Sequence, residues 1–157
     1  MNSQKSDLPR VKKQQKIPPP LLFLAGVVAL KQMPIWGAFQ LHWFWTILPL
    51  LLSGILALGS LWQFWQARTT ISPMTLEKTS FLVTDGVYAW SRNPMYLSLL
   101  LALFAYFLWL GNGLGIVVLA AFVWALTHWQ IKAEEYMLLT LFGEEYAQYC
   151  TRVRRWI

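Results

Sequence analysis

Two long apolar blocks decide what this chain can fold into, one over residues 41–65 and the other over residues 95–131. A helical apolar run of about 20 residues matches the hydrocarbon core of a bilayer. Hydrophobic residues make up 57% of the 157 residues and charged residues only 13%, a balance that a water-soluble domain of this size cannot easily hide from water. The sequence therefore predicts an all-α, polytopic integral membrane bundle with about four transmembrane helices, formed by a single domain over residues 1–157.

The first half of the chain predicts two of these helices within residues 21–66. A basic arm, residues 1–20, ends in three prolines that are expected to stop helix formation. No small-residue cleavage site follows the first apolar run, so we expect an uncleaved helix that starts near Leu21 and fades after Lys31. The second helix covers 41–65, with a kink expected at Pro49 and a side of small residues suited to close helix packing.

The second apolar block predicts a helical hairpin over residues 95–131, because Gly111-Asn112-Gly113 favours a tight turn in its middle. A polar loop over residues 67–94 precedes the hairpin, and a mixed segment over residues 132–157 follows it. Gly143 is expected to end one helix of this last segment and to let the next lie along the membrane interface.

The distribution of charge predicts the orientation of the helices. Four spans place the basic arm, the middle loop and the C-terminal segment on one membrane face, and these segments carry all seven acids and every basic residue except Lys31. The positive-inside rule makes that face cytoplasmic, with both termini and any polar site on it. Membrane orientation accounts for the net charge of +6 better than nucleic-acid binding does, and the single Cys150 excludes an internal disulfide framework.

The end of the middle loop has the pattern of a helix start that attracts anions. Asn93 and Pro94 are preferred at the N-cap and the first helical position, and the apolar run starts at Met95. The free N–H groups of such a start stabilise a carboxylate or phosphate, and Arg92 stands beside them. A helix start without any ligand is the plainer interpretation of the same pattern.

A second polar cluster, Glu134 and Glu135, follows the last apolar run. Because the hairpin makes its two helices antiparallel neighbours, Asn93 and Glu134 are expected at the same end of the pair. An anion-attracting helix end that faces carboxylates suits a zwitterionic or cationic ligand with its own carboxylate. Solvated interface charges are the structural alternative for the two glutamates.

Three further residue types have alternative interpretations. Tyr88 and Tyr96 suit either a ligand contact or an aromatic belt at the membrane surface. Arg92 also suits lipid headgroups. His128, near the end of the last apolar run, is a possible base for a thiol or amine acceptor, but a packed histidine is the favoured interpretation.

Three motifs in this order resemble a known family: LVTDGVYAWSRNPMY at residues 82–96, EEYMLLTLFGEEYAQY at 134–149 and RVRRW at 152–156. They are similar to the isoprenylcysteine carboxyl methyltransferases, especially small bacterial members, and more distantly to the phospholipid N-methyltransferases. The resemblance covers roughly residues 68–157. It implies an integral membrane enzyme, here of a bacterial inner membrane, that uses S-adenosylmethionine (SAM).

The resemblance also implies where the cofactor binds, at the cytosolic ends of the last helices under the C-terminal segment. The positions that it indicates, together with the neighbouring Arg92 and Glu135, are Ser80, Phe81, Leu82, Val83, Tyr88, Asn93, Pro94, Met95, Tyr96 and Glu134. Two positions depart from the family pattern. Asn93 replaces the usual His, and Gln130 stands where eukaryotic members have a substrate-contacting Arg, which argues against a prenylcysteine carboxylate as substrate.

The predicted function is methyl transfer from SAM to a lipophilic acceptor embedded in the membrane. This reaction requires positioning and electrostatics rather than a metal or a protein nucleophile, so the absence of such motifs does not count against an enzyme. The expected partners are the lipid bilayer and a lipophilic small molecule, with no nucleic acid. The alternatives are an NADPH-binding membrane reductase similar to sterol reductases and a non-catalytic protein on the same scaffold.

Overall fold

The computed structural model describes residues 17–66 and 82–157, and all the regular elements in these two ranges are helical. This confirms the all-α class for the described residues. The α-helices are α1 (Pro19–Gln32), α2 (Phe44–Gln66), α3 (Pro94–Leu110), α4 (Ile116–Leu126), α5 (Lys132–Phe142) and α6 (Glu144–Arg152), with 3₁₀ turns at Gly86–Ala89 and Gly113–Gly115 and a π-helical turn at Thr127–Ile131.

Helix α1 begins earlier than the sequence predicts. Pro18 is its N-cap, and Pro19 and Pro20 lie in its first turn, so the expectation that the prolines stop the helix is wrong. A proline in the first turn loses no hydrogen bond, because the first N–H groups of a helix have no partner within it. The basic arm over 1–16 and loop residues 67–81 lie outside the described residues.

Helix α2 packs along α3 through its small residues, as predicted. The Ser53 hydroxyl donates a 2.7 Å hydrogen bond to the backbone oxygen of Ser98, and Ser60 is fully buried. Gly54 does not take part, since a methyl group added there would contact nothing within 4 Å. Pro49 lies inside the helix. Much of the remaining α2 surface is exposed leucine and tryptophan, which a bilayer would cover.

The turn between α3 and α4 is fastened to the connection between α1 and α2. Gly111 has φ of +62°, and its backbone oxygen accepts a 2.8 Å hydrogen bond from the amide of Phe39. The Asn112 side chain donates to the backbone oxygen of Pro34 at 3.1 Å and accepts from the amide of Trp36 at 3.2 Å. The predicted hairpin turn is therefore confirmed, and it also closes the end of the bundle away from α5 and α6.

The last apolar run does not end where the sequence predicts. The helix continues from Gly113 through the π-helical turn to Phe142, so Glu134 and Glu135 lie inside a continuous helix rather than beyond its end. The expected boundary at residue 131 is wrong because neither glycine nor proline occurs between residues 116 and 142 to interrupt the helix. Gly143, with φ of +51°, does separate α5 from α6 as expected.

Two helices among the described residues are long and apolar enough to cross a membrane, Phe44–Gln63 and Gly113–Phe142, judged by length and composition. Helices α1 and α3 are apolar but shorter, with 14 and 17 residues. The four-span arrangement therefore stays a prediction. Within the bundle, α1 packs against both α3 and α4, and the buried residues shared by these three helices form the main apolar core.

Replacing Gly111 with alanine is expected to destabilise the hairpin turn. An added Cβ would lie 2.2 Å from the backbone oxygen of Phe39, in a backbone conformation that costs a non-glycine residue about 1–2 kcal/mol. Thermal unfolding of the purified protein in detergent should therefore show a lower Tm for Gly111→Ala. The matched control is Gly54→Ala, which meets no atom within 4 Å and should keep or raise the Tm. Equal unfolding temperatures for the two variants would contradict this account of the turn.

Candidate functional site

A short hydrogen bond brings the two predicted polar segments together. The Tyr96 hydroxyl, in the first turn of α3, donates to Oε1 of Glu134, in the first turn of α5, at 2.6 Å. Tyr96 is 6% exposed, so this contact lies inside the protein. The expected proximity of the Asn93 and Glu134 ends is therefore observed, because the hairpin returns the chain to the level at which α3 starts.

Asn93 occupies the predicted N-cap position, but its side chain does not cap the helix. Its amide nitrogen instead donates to the backbone oxygen of Arg155 at 3.0 Å, and its backbone N–H donates to the Ser91 hydroxyl at 3.1 Å. The predicted N-cap position is therefore confirmed, while the C-terminal segment binds the Asn93 side chain. As a result, no side chain caps the first turn of α3, and that turn keeps its capacity to receive an anion.

Residues 153–157, which follow α6 and which we call the tail segment, bind the Asn93 side chain. The amide of Arg92 donates to the backbone oxygen of Arg154 at 3.0 Å, and Ser91 and Asn93 both donate to that of Arg155. Side-chain and backbone donors just before α3 therefore hold the tail segment in place. The resemblance implied that the C-terminal segment covers the cofactor site, but these contacts could not be predicted, because backbone acceptors leave no signal in residue types.

Three charged side chains form what we call the arginine cluster: Arg92, Glu135 and Arg155. Arg155 binds both carboxylate oxygens of Glu135, at 2.9 and 2.7 Å, and this hydrogen bonding raises the pKa of Arg155. Arg92 approaches the same carboxylate at 3.3 Å and the Cys150 sulfur at 2.6 Å. The cluster carries one more positive than negative charge. The carboxylate of Glu135 is engaged by both arginines, so its predicted cofactor contact would have to compete with them.

Arg92 keeps one unused donor. Its Nε is buried and has no hydrogen-bond partner within residues 17–66 and 82–157, although its Nη1 is engaged. A buried donor without a partner carries a desolvation cost of about 1–3 kcal/mol, which a ligand oxygen would remove. Nε of Arg92 is therefore the atom best suited to bind an anion at the predicted site.

Helix α6 holds the loop that precedes α3. The Tyr149 hydroxyl donates to the backbone oxygen of Tyr88 at 2.6 Å, and both tyrosines are buried. Burial raises the pKa of both phenols above the ordinary range, so they stay protonated donors at physiological pH. Leu82 packs against the same apolar cluster, which is built on Tyr146, Tyr149 and Val153. The predicted loop residues Leu82 and Tyr88 are thus packed against α6 and the tail segment.

Gln130 is fully buried in the π-helical turn. Its Nε2 donates to the backbone oxygen of Ile17, just before α1, while its Oε1 is buried and has no partner. Because a backbone oxygen can only accept, this contact decides the orientation of the amide and leaves the acceptor atom unpaired. Turns of π-helix occur frequently at functional sites, and Glu134 follows one helical turn later.

The remaining predicted positions have mixed outcomes. Pro94 is buried in the first turn of α3, while Met95 and Val83 are half-buried nearby. Ser80 and Phe81 lie outside the described residues. The favoured interpretation of His128 as a packed histidine is wrong, because its ring is exposed and stacks on Trp124 with Nδ1 2.9 Å from the backbone oxygen of that residue.

An apolar groove of about 670 Å³ runs between α3 and α4. Among the residues that the structure describes, none of those predicted to bind the cofactor lines it. The lining comes from α3 (Leu97, Leu100, Leu101, Phe104), from α4 and the π-helical turn (Ile116, Leu119, Ala120, Val123, Trp124, Thr127, His128) and from Ile157 of the tail segment.

The described residues form an all-helical fold with two apolar helices of membrane-spanning length and with polar side chains gathered at one end of a helix pair, which indicates a membrane-associated helical protein. A family model described as phospholipid methyltransferase matches residues 41–145. The chain belongs to the phospholipid methyltransferase family.

Individual relatives agree with the family match. An uncharacterised protein of Haemophilus influenzae is 48% identical over 63 residues, which cover 40% of this chain and 100% of that protein. The protein-S-isoprenylcysteine O-methyltransferase of Schizosaccharomyces pombe is 27% identical over 74% of this chain and 52% of its own length. The mouse protein of the same name is 40% identical over 48% of this chain and 26% of its own length. No solved structure matches significantly.

The chain thus spans about half of the fission-yeast relative and about a quarter of the mouse relative. What these proteins are named for is carried over to this chain only as a proposal. The expected resemblance to both methyltransferase groups is confirmed, by the family match for one and by the fission-yeast and mouse relatives for the other.

Removing the charge of Glu135 is expected to loosen the tail segment. Glu135→Gln leaves Arg92 and Arg155 without their shared counter-charge, at a cost of about 1 kcal/mol after allowance for the partial exposure of Arg155. Hydrogen exchange at the Arg92 amide, which donates to the Arg154 oxygen, should become about five-fold faster. Glu144→Gln removes an exposed acid of α6 and is the matched control. Unchanged exchange in Glu135→Gln would show that the arginine cluster does not hold the tail segment.

Proposed function

We propose that this protein is a SAM-dependent methyltransferase that acts on a lipophilic acceptor in the membrane. The observation that carries the proposal is the 2.6 Å hydrogen bond between Tyr96 and Glu134. It joins the two segments whose motifs resemble the methyltransferase family, at the same end of the helix pair. We further propose four membrane spans, in a bacterial inner membrane, with this end and both termini on the cytoplasmic side, since the basic residues concentrate there.

The residues present fit the charged groups of SAM. The uncapped first turn of α3 and the unpaired Nε of Arg92 suit its carboxylate. Glu134, oriented by Tyr96, suits its amino group or its ribose hydroxyls. Together these groups supply cationic and anionic partners for a ligand that carries both signs of charge.

The loop before α3 suits the adenosine part. Leu82 and Val83 are half-buried, and Tyr88 is buried and held through its backbone by Tyr149. A ring and apolar side chains of this kind can pack against a nucleobase, and the neighbouring backbone can hydrogen-bond its edge. We extend the site to Ser80 and Phe81 by their position next to Leu82 in the chain.

When bound, SAM supplies an activated methyl group on its sulfonium. The contribution of this chain is to hold donor and acceptor in line and to limit the access of water, which requires no nucleophile of its own. Tyr96 keeps Glu134 in one orientation, and the tail segment covers the start of α3 through its bonds to Asn93 and Arg92. The chemistry therefore depends on rigid placement by α3, α5 and the tail segment.

We propose that the acceptor reaches this end of the helix pair from the bilayer, as a lipophilic molecule would. Gln130 offers an acceptor oxygen rather than a cation, so it cannot form an ion pair with a carboxylate. This disfavours a prenylcysteine carboxylate and favours an acceptor with a hydrogen-bond donor, such as an amine or a hydroxyl. A reductase function has no support from the family match, which is to methyltransferases.

Titration of the detergent-purified protein with SAM tests this proposal. Saturable binding is expected, and Glu134→Gln should weaken it about ten-fold or more, because the variant loses a charged hydrogen-bond partner. Glu144→Gln removes an exposed acid at the start of α6 and should bind SAM as the parent protein does.

Two parallel measurements separate the alternatives. NADPH should not bind, and incubation with membranes and methyl-labelled SAM should label a lipid-soluble product. Binding of NADPH without SAM would favour a reductase. Saturable SAM binding without any labelled product would leave a binding protein rather than an enzyme, and no SAM binding at all would refute the proposal.

A further inference from the structure

The groove between α3 and α4 lies on a different side of the long helix from the candidate cofactor site. His128, Lys132 one helical turn later and Tyr136 two turns later are all exposed. Gln130 is buried and contacts Ile17 just before α1, and Glu134 is half-buried and contacts α3. The groove therefore belongs to the outer surface of the helix pair and is available to the bilayer, independently of the proposed cofactor site.

The dimensions and lining of the groove suit one acyl chain. From Ile116 to His128 the helix rises about 18 Å at 1.5 Å per residue. One leaflet of a bilayer contributes about half of a hydrocarbon core of about 30 Å. The lining is hydrocarbon except for the indole N–H of Trp124 and for Thr127 and His128, which both lie at one end, together with Leu97 and Ile157. An acyl chain in this groove would thus have its polar end near His128.

Cations from two separate elements flank that same end. Lys132 follows His128 by one turn on the exposed side of the helix. Arg155 precedes Ile157, which lines the groove, by two residues, or about 7 Å of extended chain at most. Arg155 and Arg92 both contact Glu135. Together with Lys132, these side chains carry three positive charges and one negative charge, a net charge of +2. A phosphate at this end would be attracted from both sides.

We propose that the groove and its flanking cations form a binding site for one anionic phospholipid. One acyl chain lies between α3 and α4, and the phosphate lies against Lys132 and Arg155. Basic pockets between membrane helices at the cytoplasmic surface are known to bind anionic headgroups in this way. This lipid is distinct from the methyl acceptor. Its groove shares no described lining residue with the proposed cofactor site, although its phosphate would lie beside the arginine cluster, which also contributes Arg92 to that site.

The bound lipid would also stabilise the tail segment. Ile157 packs at the His128 end of the groove, and Arg155 holds Glu135, so a phosphate beside Arg155 adds a second anion to the arginine cluster. Without the lipid, the Glu135 carboxylate is the shared ion-pair partner of both Arg92 and Arg155. An anionic lipid would therefore raise the thermal stability of the protein, whereas a zwitterionic lipid with the same chains would not.

Native mass spectrometry of the full chain, released from nanodiscs of equal parts phosphatidylglycerol and phosphatidylcholine, tests the site. Phosphatidylglycerol should be retained in preference to phosphatidylcholine. Lys132→Gln should lower this preference about five-fold, since a cation near the surface contributes about that factor to anionic lipid binding. Lys31→Gln removes one cation from the last turn of α1 and is the matched control, with the preference expected to stay unchanged.

A second variant tests the acyl-chain part of the site. Ala120→Phe places a ring in the middle of the groove and should abolish lipid retention, with Ala120→Leu as the milder substitute if the phenylalanine variant does not fold. Glycerol 3-phosphate, which has the headgroup phosphate without chains, should fail to displace the lipid at millimolar concentration. Equal retention of the two lipids, equal effects of Lys132→Gln and Lys31→Gln, or displacement by glycerol 3-phosphate would each overturn the proposal.

Discussion

The hydrogen bond from Tyr96 to Glu134 is the contact on which the polar end of this protein depends. It joins residues that are 38 positions apart, and it forms because the turn at Gly111 folds α4 back along α3. At the other end of the pair, Asn112 and Gly111 fasten this turn to the connection between α1 and α2. The helices that carry the polar site are therefore held together at both ends: by the Tyr96–Glu134 hydrogen bond at one end and by the fastened turn at the other.

The tail segment makes the second contribution to this end. Its backbone oxygens accept from Arg92 and Asn93, and the side chain of Arg155 reaches Glu135. Because the Asn93 side chain bonds to the tail segment, it does not cap α3, and the first N–H groups of that helix have no side-chain partner from Asn93. An open start beside an unpaired arginine nitrogen is a suitable place for a carboxylate, whereas a capped start would compete with it.

The helices themselves could be predicted because each depends on local information. Apolar length indicated α1 and α2, and the Gly-Asn-Gly turn indicated the hairpin. The errors arose where the outcome depends on competition or distance. The prolines at 18–20 were expected to stop a helix, but they form the start of α1. A change from apolar to polar residues was mistaken for the end of a helix that continues to Phe142. The N-cap position of Asn93 was predicted, but the distant backbone oxygen that binds its side chain was not.

The arginine cluster could not be predicted from the sequence either, because its members are distant in the chain. Glu135 and Arg155 are separated by 20 residues and by a helix break at Gly143, and no local pattern pairs them or adds Arg92 and Cys150. The proximity of the two polar segments, by contrast, could be predicted, because the Gly-Asn-Gly turn makes α3 and the helix after it antiparallel neighbours. The cofactor roles of these segments are still proposals, while their proximity is an observed property of the fold.

Photochemical cross-linking of radiolabelled SAM to the purified full-length chain tests the central claim most directly. Peptide mapping should place the label in residues 80–96 and in the segment around Glu134, and an excess of unlabelled SAM should remove it from both. Label confined to other helices, or label that unlabelled SAM does not displace, would contradict a cofactor site at the start of α3.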